Sequence, residues 1–460
     1  MKSKLLLLTP IALLLTLGAC TSSISPFTSG DKPVESEYQE IFKTGNNIKL
    51  LKKTPIVEQI SKHEIGEEGY RNFLDDYRSF SSSLTEDYFK CYGNDHSKNT
   101  TISPLSIYFA MAQAGCCANN NTQKEIFDAL NMTSEEANKY SNYLFRQCNE
   151  VFVNYNNEEE ITGRLELNNS LWFDKQLILI DEGLEKLANS YYCEPYGADF
   201  KNHPEDVSKR FNDYLTDKTR GLIKPNFEFD KETAMVIANT LYMKDIWNIF
   251  GNDLALSDEK DFKNSDGTTT NKRFMYSPYC LGRVHEEEDF FTFYTGTCHS
   301  FMLKFIVPKE GKSIDDVFNS ENLLKAHNAK YETDFEEDGK YAGSYYTRCI
   351  FPEFTAEAND SLVNLFKNRG VNDFFEKCRC DFSNVTKDIV YCSDITHIAK
   401  LKVEPKGIEG AAVTVVNVAG ATSIDEQHYI YEDFIIDRSF GFELCNGSNI
   451  PLFTGIVNKI

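Results

Sequence analysis

The segment KGIEGAAVTVVNVAGATSIDEQ, Lys406 to Gln427, sets the hardest condition on any fold for this chain. Between Gly407 and Ala421 it carries one charge, Glu409, and is otherwise built mainly from Ala, Gly, Val and Thr. Strand-like runs flank it, His397–Pro405 before and Tyr431–Leu444 after. In an extended chain Ile408, Gly410, Ala412, Thr414, Val416 and Val418 fall on one face, and Ala411, Val413, Val415, Asn417 and Ala419 on the other. A segment uncharged on both faces suits a central strand covered on both sides. Thr414–Val416 has high strand propensity, whereas Gly407, Gly410 and the alanines supply the freedom of an exposed loop. The residues alone leave two readings open. One is an apolar edge or core strand fixed in place, and the other is a loop that becomes a strand.

The N-terminus constrains the chain next. Lys2 and Lys4 precede an apolar run from Leu5 to Leu17, followed by Gly18-Ala19-Cys20. That run is too short to span a bilayer as a mature helix and fits a signal peptide with small residues before the cut. Leu17-Gly18-Ala19-Cys20 resembles the lipobox of bacterial lipoproteins. The resemblance implies removal of residues 1–19, a lipid thioether on Cys20 and an exported chain held at the bacterial outer membrane or cell surface. An ordinary signal peptide with an incidental Cys20 is the alternative. Residues 20–60 begin rich in Ser, Thr and Pro and read as a flexible tether, with a globular domain over 61–460.

At 460 residues the length prior suggests about three domains, although one domain can run this long. With 34 Phe and 24 Tyr there is ample material for a large core. A net charge of −22 and no basic patch set the chain against a nucleic-acid partner. Besides Cys20 there are twelve cysteines, with no CxxC pair and only scattered histidines, so most of them read as buried small hydrophobes rather than metal ligands, while export would permit disulfides among them.

Phe73, Leu74, Tyr77 and Phe80 recur at helical spacing within 69–89. Residues 103–130 read as two helices joined by a polar turn at Asn119–Asn121, and 211–223 as a helix stopped by Gly221. Ala234–Trp247, Ser300–Gly311 and Tyr345–Ala358 each read as a strand. Helices mostly first and strands mostly last point to an α+β fold rather than alternating βαβ units. No GxSxG, HExxH or GxxxxGK[ST] motif occurs, and Asp261–Thr270 reads as a tight turn, not a calcium loop. No metal or cofactor is expected, and the weight moves toward binding or inhibition.

Four stretches in order resemble the serpin family: Asn99–Leu130 with its SPLS start, Ile237–Trp247, FPEF at Phe351–Phe354 with the segment that follows, and Lys406–Gln427 with FIIDRSFGFEL and PLFTGIVNKI behind it. The resemblance implies helices packed on a large central mixed sheet, further sheets and an exposed reactive-centre loop. It implies a suicide-substrate inhibitor of serine, or papain-like cysteine, proteases and not an enzyme: the target cuts the loop, and the cut loop inserts into the sheet. The hinge would be Gly407, Ile408, Glu409, Gly410, Ala411, Ala412, Val413 and Thr414. Family spacing puts the cut bond at Ala421–Thr422, with Val418, Ala419 and Gly420 as recognition residues. A small residue there suggests an elastase-like target, and the lack of Arg or Lys from Gly407 to Gln427 disfavours a trypsin-like one. Ser103, Ser106, Asn239 and His397 match the polar cluster beneath the opening sheet, and Trp247 the tryptophan near its top. A monomer is expected. Pro405, Ile408 and Gly410 depart from the usual hinge, which implies slower insertion and leaves a non-inhibitory surface binding module as the alternative.

Overall fold

The computed structural model describes residues 11–14, 42–58, 60, 68–93, 95–154, 157–247, 253–337, 340–409 and 428–460. In chain order the first half runs β1 (Ile11–Leu14), β2 (Ile48–Leu50), α1 (Glu68–Tyr92), β3 (Thr100–Ile102), α2 (Pro104–Cys117), α3 (Asn120–Ala129), α4 (Ser134–Gln147), β4 (Glu150–Asn154), β5 (Asn157–Asp174), α5 (Asp181–Tyr191), β6 (Cys193–Ala198), α6 (Pro204–Lys218) and β7 (Met235–Ile246). The second half is mostly strand: β8 (Leu256–Lys263), β9 (Thr269–Tyr276), β10 (Cys280–Leu281), β11 (His285–Glu286), β12 (Phe290–Gly296), β13 (Met302–Pro308), then α7 (Ile314–Val317) and α8 (Ser320–His327). It closes with β14 (Asp334–Glu337), β15 (Lys340–Phe351), β16 (Phe354–Ser361), α9 (Val363–Asn368), β17 (Ile395–Glu404), β18 (Gly407–Ile408), β19 (His428–Ile435), β20 (Phe440–Cys445) and β21 (Pro451–Val457).

Three sheets organise these elements. The largest runs β17, β18, β7, β5, β6, β2, with β16 beside β17, β4 beside β5, and β1 between β17 and β7. The second is centred on β15, and the third runs β11, β12, β13, β20, β21, β3. The α+β expectation holds.

α2 explains how the large sheet is supported. All fourteen of its residues are buried, so it is a core helix rather than an amphipathic one. Ser103 is extended and its hydroxyl accepts from the Ser106 N–H at 3.3 Å, with Pro104 at the first helical position. This is the cap-then-proline arrangement that helix starts favour. β7 is buried at every position, as a strand covered on both faces must be.

Two expectations are corrected. Tyr345–Ala358 is not one strand: it breaks at Pro352, and β15 and β16 go to different sheets. Proline has no N–H to give a ladder, so the chain turns there. Nor does the folded part wait until Ser61. Ile48–Leu50 pairs antiparallel with Tyr196–Ala198, and Phe42 sets its ring 5.1 Å from Tyr214 and 6.2 Å from Trp172, both edge-on. Apolar Ile48 and Leu50, two residues apart, are the alternation that docks this short strand.

The twelve described cysteines are all free thiols; seven are buried and only Cys378 is exposed. Among the described residues no helix is long and apolar enough to cross a membrane.

Phe42→Ala tests the docking of the N-terminal segment. A half-buried phenyl should cost less than the ~3–5 kcal/mol of a fully buried one. A loss of about 1–2 kcal/mol in denaturant unfolding is expected, with red-shifted tryptophan emission as Trp172 meets water. Unchanged stability and emission would place Phe42 outside the fold.

Candidate functional site

The site forms where β18 enters between β17 and β7. β18 pairs antiparallel with both: Gly407 faces Ile246 and Glu404, and Ile408 faces Asp245 and Val403. Ile408 is fully buried. Gly407 is required by close approach, because a Cβ there would stand 2.2 Å from the Asp245 carbonyl oxygen. Pro405 and Lys406 make the turn that returns the chain from β17. Pro405 therefore needs no ladder N–H, and its carbonyl accepts from the Leu254 N–H at 2.8 Å. Glu409 then takes φ +78°, a left-handed backbone costing about 1–2 kcal/mol outside glycine. Its N–H donates to the Lys402 carbonyl at 2.6 Å. The Trp247 indole N–H donates to the Glu404 carbonyl at 2.6 Å, which ties the end of β7 to the end of β17.

Of the expected hinge, Gly407, Ile408 and Glu409 are thus seated at the top of the sheet. Gly410, Ala411, Ala412, Val413 and Thr414 lie outside the described residues. So do Val418, Ala419, Gly420, Ala421, Thr422 and Cys20.

Lower down, β17 and β7 flank β1, which runs parallel to both, with Leu13 in register with His397 and Asn239. The polar cluster is here. His397 is fully buried, and its Nε2 accepts from the Ser103 N–H at 3.4 Å. Burial pulls its pKa down to about 3, so the ring is neutral. Asn239 donates to Asn169 Oδ1 at 2.5 Å and to the Asn168 carbonyl at 3.3 Å. The Ser103 and Ser106 hydroxyls are 3.5 Å apart. His397 Nδ1 and Asn239 Oδ1, one on each flanking strand, are buried with no hydrogen-bond partner among the described residues. An orphaned buried polar atom costs about 1–3 kcal/mol, so the place favours an incoming hydroxyl.

Sequence reasoning missed a second polar group beside the hinge. Asp245, in β7, has a fully buried side chain. Its carboxylate accepts from the His299 N–H at 3.0 Å, the Ile246 N–H at 2.9 Å and the Thr297 hydroxyl, and contacts His299 Nδ1 at 2.5 Å. Burial works against charge on His299, but the Asp245 carboxylate outweighs it and raises the imidazole pKa to about 9. The available signal was Asp245 itself, an acid inside the apolar run LYMKDIW.

One group among the described residues has metal-ligating chemistry, the buried His327, Glu443 and Cys445. Lys304 Nζ stands 3.9 Å from Glu443, and Asn449 Nδ2 lies 2.9 Å from His327 Nε2. Burial alone would raise the Glu443 pKa; His327 and Lys304 instead hold it at about 2. An ammonium already supplies the positive charge a metal would bring.

The His299–Asp245 pair carries a pH signature. A histidine pKa raised from about 6.5 to about 9 contributes stability that is complete below about pH 6.5 and is lost as pH rises through 9. Neutral His397 acts in the opposite sense at acid pH, so the wild type is best compared with His299→Asn. The stability difference between the two should shrink from pH 7 to about 9.5; a constant difference would mean the imidazole carries no extra charge in the folded state.

The comparisons with known proteins agree with this geometry. The chain is 26% identical over 377 residues to iripin-1 of Ixodes ricinus, covering 79% of this chain and 89% of that protein. Its fold is similar to the native state of the thermophilic serpin tengpin, with TM-score 0.69, 23% identity, and 90% and 100% of the two chains covered. It is also similar to thyroxine-binding globulin in complex with thyroxine, with TM-score 0.65, 20% identity, and 84% and 99% covered. The model of the family described as serpin (serine protease inhibitor) matches residues 79–460. On that match, the chain belongs to the serpin family.

Proposed function

We propose that this chain is a single-use inhibitor of an endopeptidase with small-residue preference. Serpins generally are protease inhibitors rather than enzymes. The reaction proposed is attack by the target's Ser or Cys nucleophile on the Ala421 carbonyl, release of the Thr422 amine, and insertion of the cut loop while the acyl bond persists. Insertion of a cleaved loop as an added strand is the general serpin case of strand addition and release of stored strain; what this chain contributes is its register.

The observation that carries the reading is the seated Gly407–Ile408 pair. Extending its register two residues at a time, from Ile408 opposite Asp245 and Val403, brings Thr414 opposite Asn239 and His397. The Thr414 side chain would share their buried face, where two orphaned polar atoms wait. A hydroxyl can donate to Asn239 Oδ1 and accept from His397 Nδ1, which carries the ring proton because Nε2 accepts from Ser103. Each further residue would add backbone hydrogen bonds to both flanking strands. Removal of residues 1–19 on export would vacate the place that β1 holds at this level, between β17 and β7. Pro405, in its turn, does not oppose insertion, and Ile408 is already accommodated. Glu409 opposes it until its φ leaves the left-handed region, and that change also relieves strain.

The proposal includes a lipid on Cys20 that holds the exported chain at a membrane surface. Mass spectrometry of the mature N-terminus tests it: the expected mass is that of a chain starting at a diacylglyceryl Cys20, and an unmodified start elsewhere would remove the anchor.

Incubation with an elastase-type protease should give an adduct of summed mass that survives boiling in detergent, with a released fragment starting at Thr422. Ile408→Arg should give clean cleavage and no adduct, because a guanidinium at a buried, unpaired position costs several kcal/mol. Thr414→Val should leave the uncut chain unchanged and lower the stability of the cut chain by about 1–2 kcal/mol. Cleavage without adduct or stability gain, across elastase-, subtilisin- and papain-type proteases, would favour the second reading. That reading is a non-inhibitory binding module, supported by the fold likeness to a thyroxine-bound globulin.

A further inference from the structure

The Asp245–His299 pair does not end at the imidazole. His299 Nε2 lies 3.8 Å from Cys298 Sγ and 3.2 Å from Thr162 Oγ1. The order carboxylate, imidazole, thiol is the arrangement that activates cysteine nucleophiles: the acid orients the ring and the ring favours the thiolate. Three further contacts fix the geometry. The Cys298 N–H donates to the Ile246 carbonyl at 2.8 Å, the His299 N–H donates to Asp245, and Phe152 stacks on the imidazole at 4.3 Å with planes 16° apart. Among the described residues, the titratable groups facing His299 are Asp245 from β7 and Cys298 from its own turn; β5 contributes the Thr162 hydroxyl and β4 the Phe152 ring.

Cys298 is also partly exposed, unlike most of the thiols. Burial raises the pKa of Cys116 and Cys380 to about 12, and that of Cys117, Cys193, Cys349 and Cys445 well above the ordinary thiol value. Cys116, Cys117, Cys193, Cys349 and Cys445 are held as thiols out of reach of solvent, and Cys380, though partly exposed, is likewise held as a thiol. Cys378 is exposed and serves as the internal reference.

We propose that Cys298 is a modification site for low-molecular-weight disulfides, forming a mixed disulfide beside the strand that seats the hinge. The Cys298 thiolate attacks one sulfur of the small disulfide. A new S–S bond forms as the old one breaks, and the departing sulfur leaves with the electron pair as a thiolate that takes a proton from water. The disulfide is itself the oxidant, so nothing further is needed. The inference does not depend on the inhibitor reading.

The test uses the full folded chain and 2,2′-dithiodipyridine, following thiopyridone release and locating the adduct by peptide mass. One thiol should react first, at Cys298, about tenfold faster than Cys378 at pH 7. The fast phase should vanish in Cys298→Ser. His299→Asn should slow it about tenfold at pH 7 and abolish the loss of that advantage that the wild type shows as His299 gives up its proton through about pH 9, a change that a purely structural histidine would not cause. Labelling of Cys298 no faster than Cys378, or a rate unaffected by His299→Asn, would overturn the proposal. If His299→Asn does not fold, Thr162→Val decides: with the competing hydroxyl removed, the Cys298 rate should rise about twofold, and an unchanged or slower rate would overturn the proposal.

Discussion

β7 and β17 run through the buried centre of the large sheet, and in the described pairings they meet through β18 and β1 rather than directly. Backbone N–H and C=O groups in such a place need partners, and leaving them bare is costly. In this structure the seam between them is filled by β18 at the top and by β1 lower down. α2 supports it from below with a fully buried face, β7 holds one side with every residue buried, and Trp247 spans its upper end through the Glu404 carbonyl. The seated pair Gly407–Ile408 is the first stitch of that seam. Its small size is enforced by the Asp245 carbonyl, not by a need for flexibility alone.

Polar chemistry is concentrated along the same seam. At the top, Asp245 is a fully buried carboxylate surrounded by Ile246, Thr297 and His299, which is how a buried charge is made tolerable. Lower down, His397 is neutral, and its Nδ1 and the Asn239 oxygen have no partner among the described residues. The two ends thus differ in kind. The top is a finished network that fixes the turn at 297–300, whereas the middle retains unmet hydrogen-bonding capacity. A strand that supplies a hydroxyl at the middle gains more than one that supplies only bulk.

Much of this was legible in the residues. Phe73, Leu74, Tyr77 and Phe80 marked the first long helix by their spacing, and Asn119–Asn121 marked the break between α2 and α3. β7 and β13 followed from apolar runs of β-forming residues. The missed features depend on tertiary context. β2 has three residues, too few to show a period against the tether that precedes it. Pro352 marked a break that an otherwise continuous run concealed. The place of Pro405 in the turn after β17 was not legible either, because only pairing decides whether a proline's missing N–H matters. The grip of His299 on Asp245 joins residues 54 apart in the chain, and no local pattern announces it.

The buried thiols set an order of events for folding. Cys116 and Cys117 close α2, Cys193 opens β6, and Cys349 and Cys445 lie inside separate sheets, all shielded once packing is complete. Before that they are ordinary thiols on an open chain. Disulfide formation takes seconds to hours, depending on the oxidant. In an oxidising compartment the core must therefore close before the cysteines find one another. A wrong bridge from Cys117 would keep α2 from entering its place beneath the sheet. What protects these thiols is a matter of timing: the fold shields them from oxidants only after it has formed.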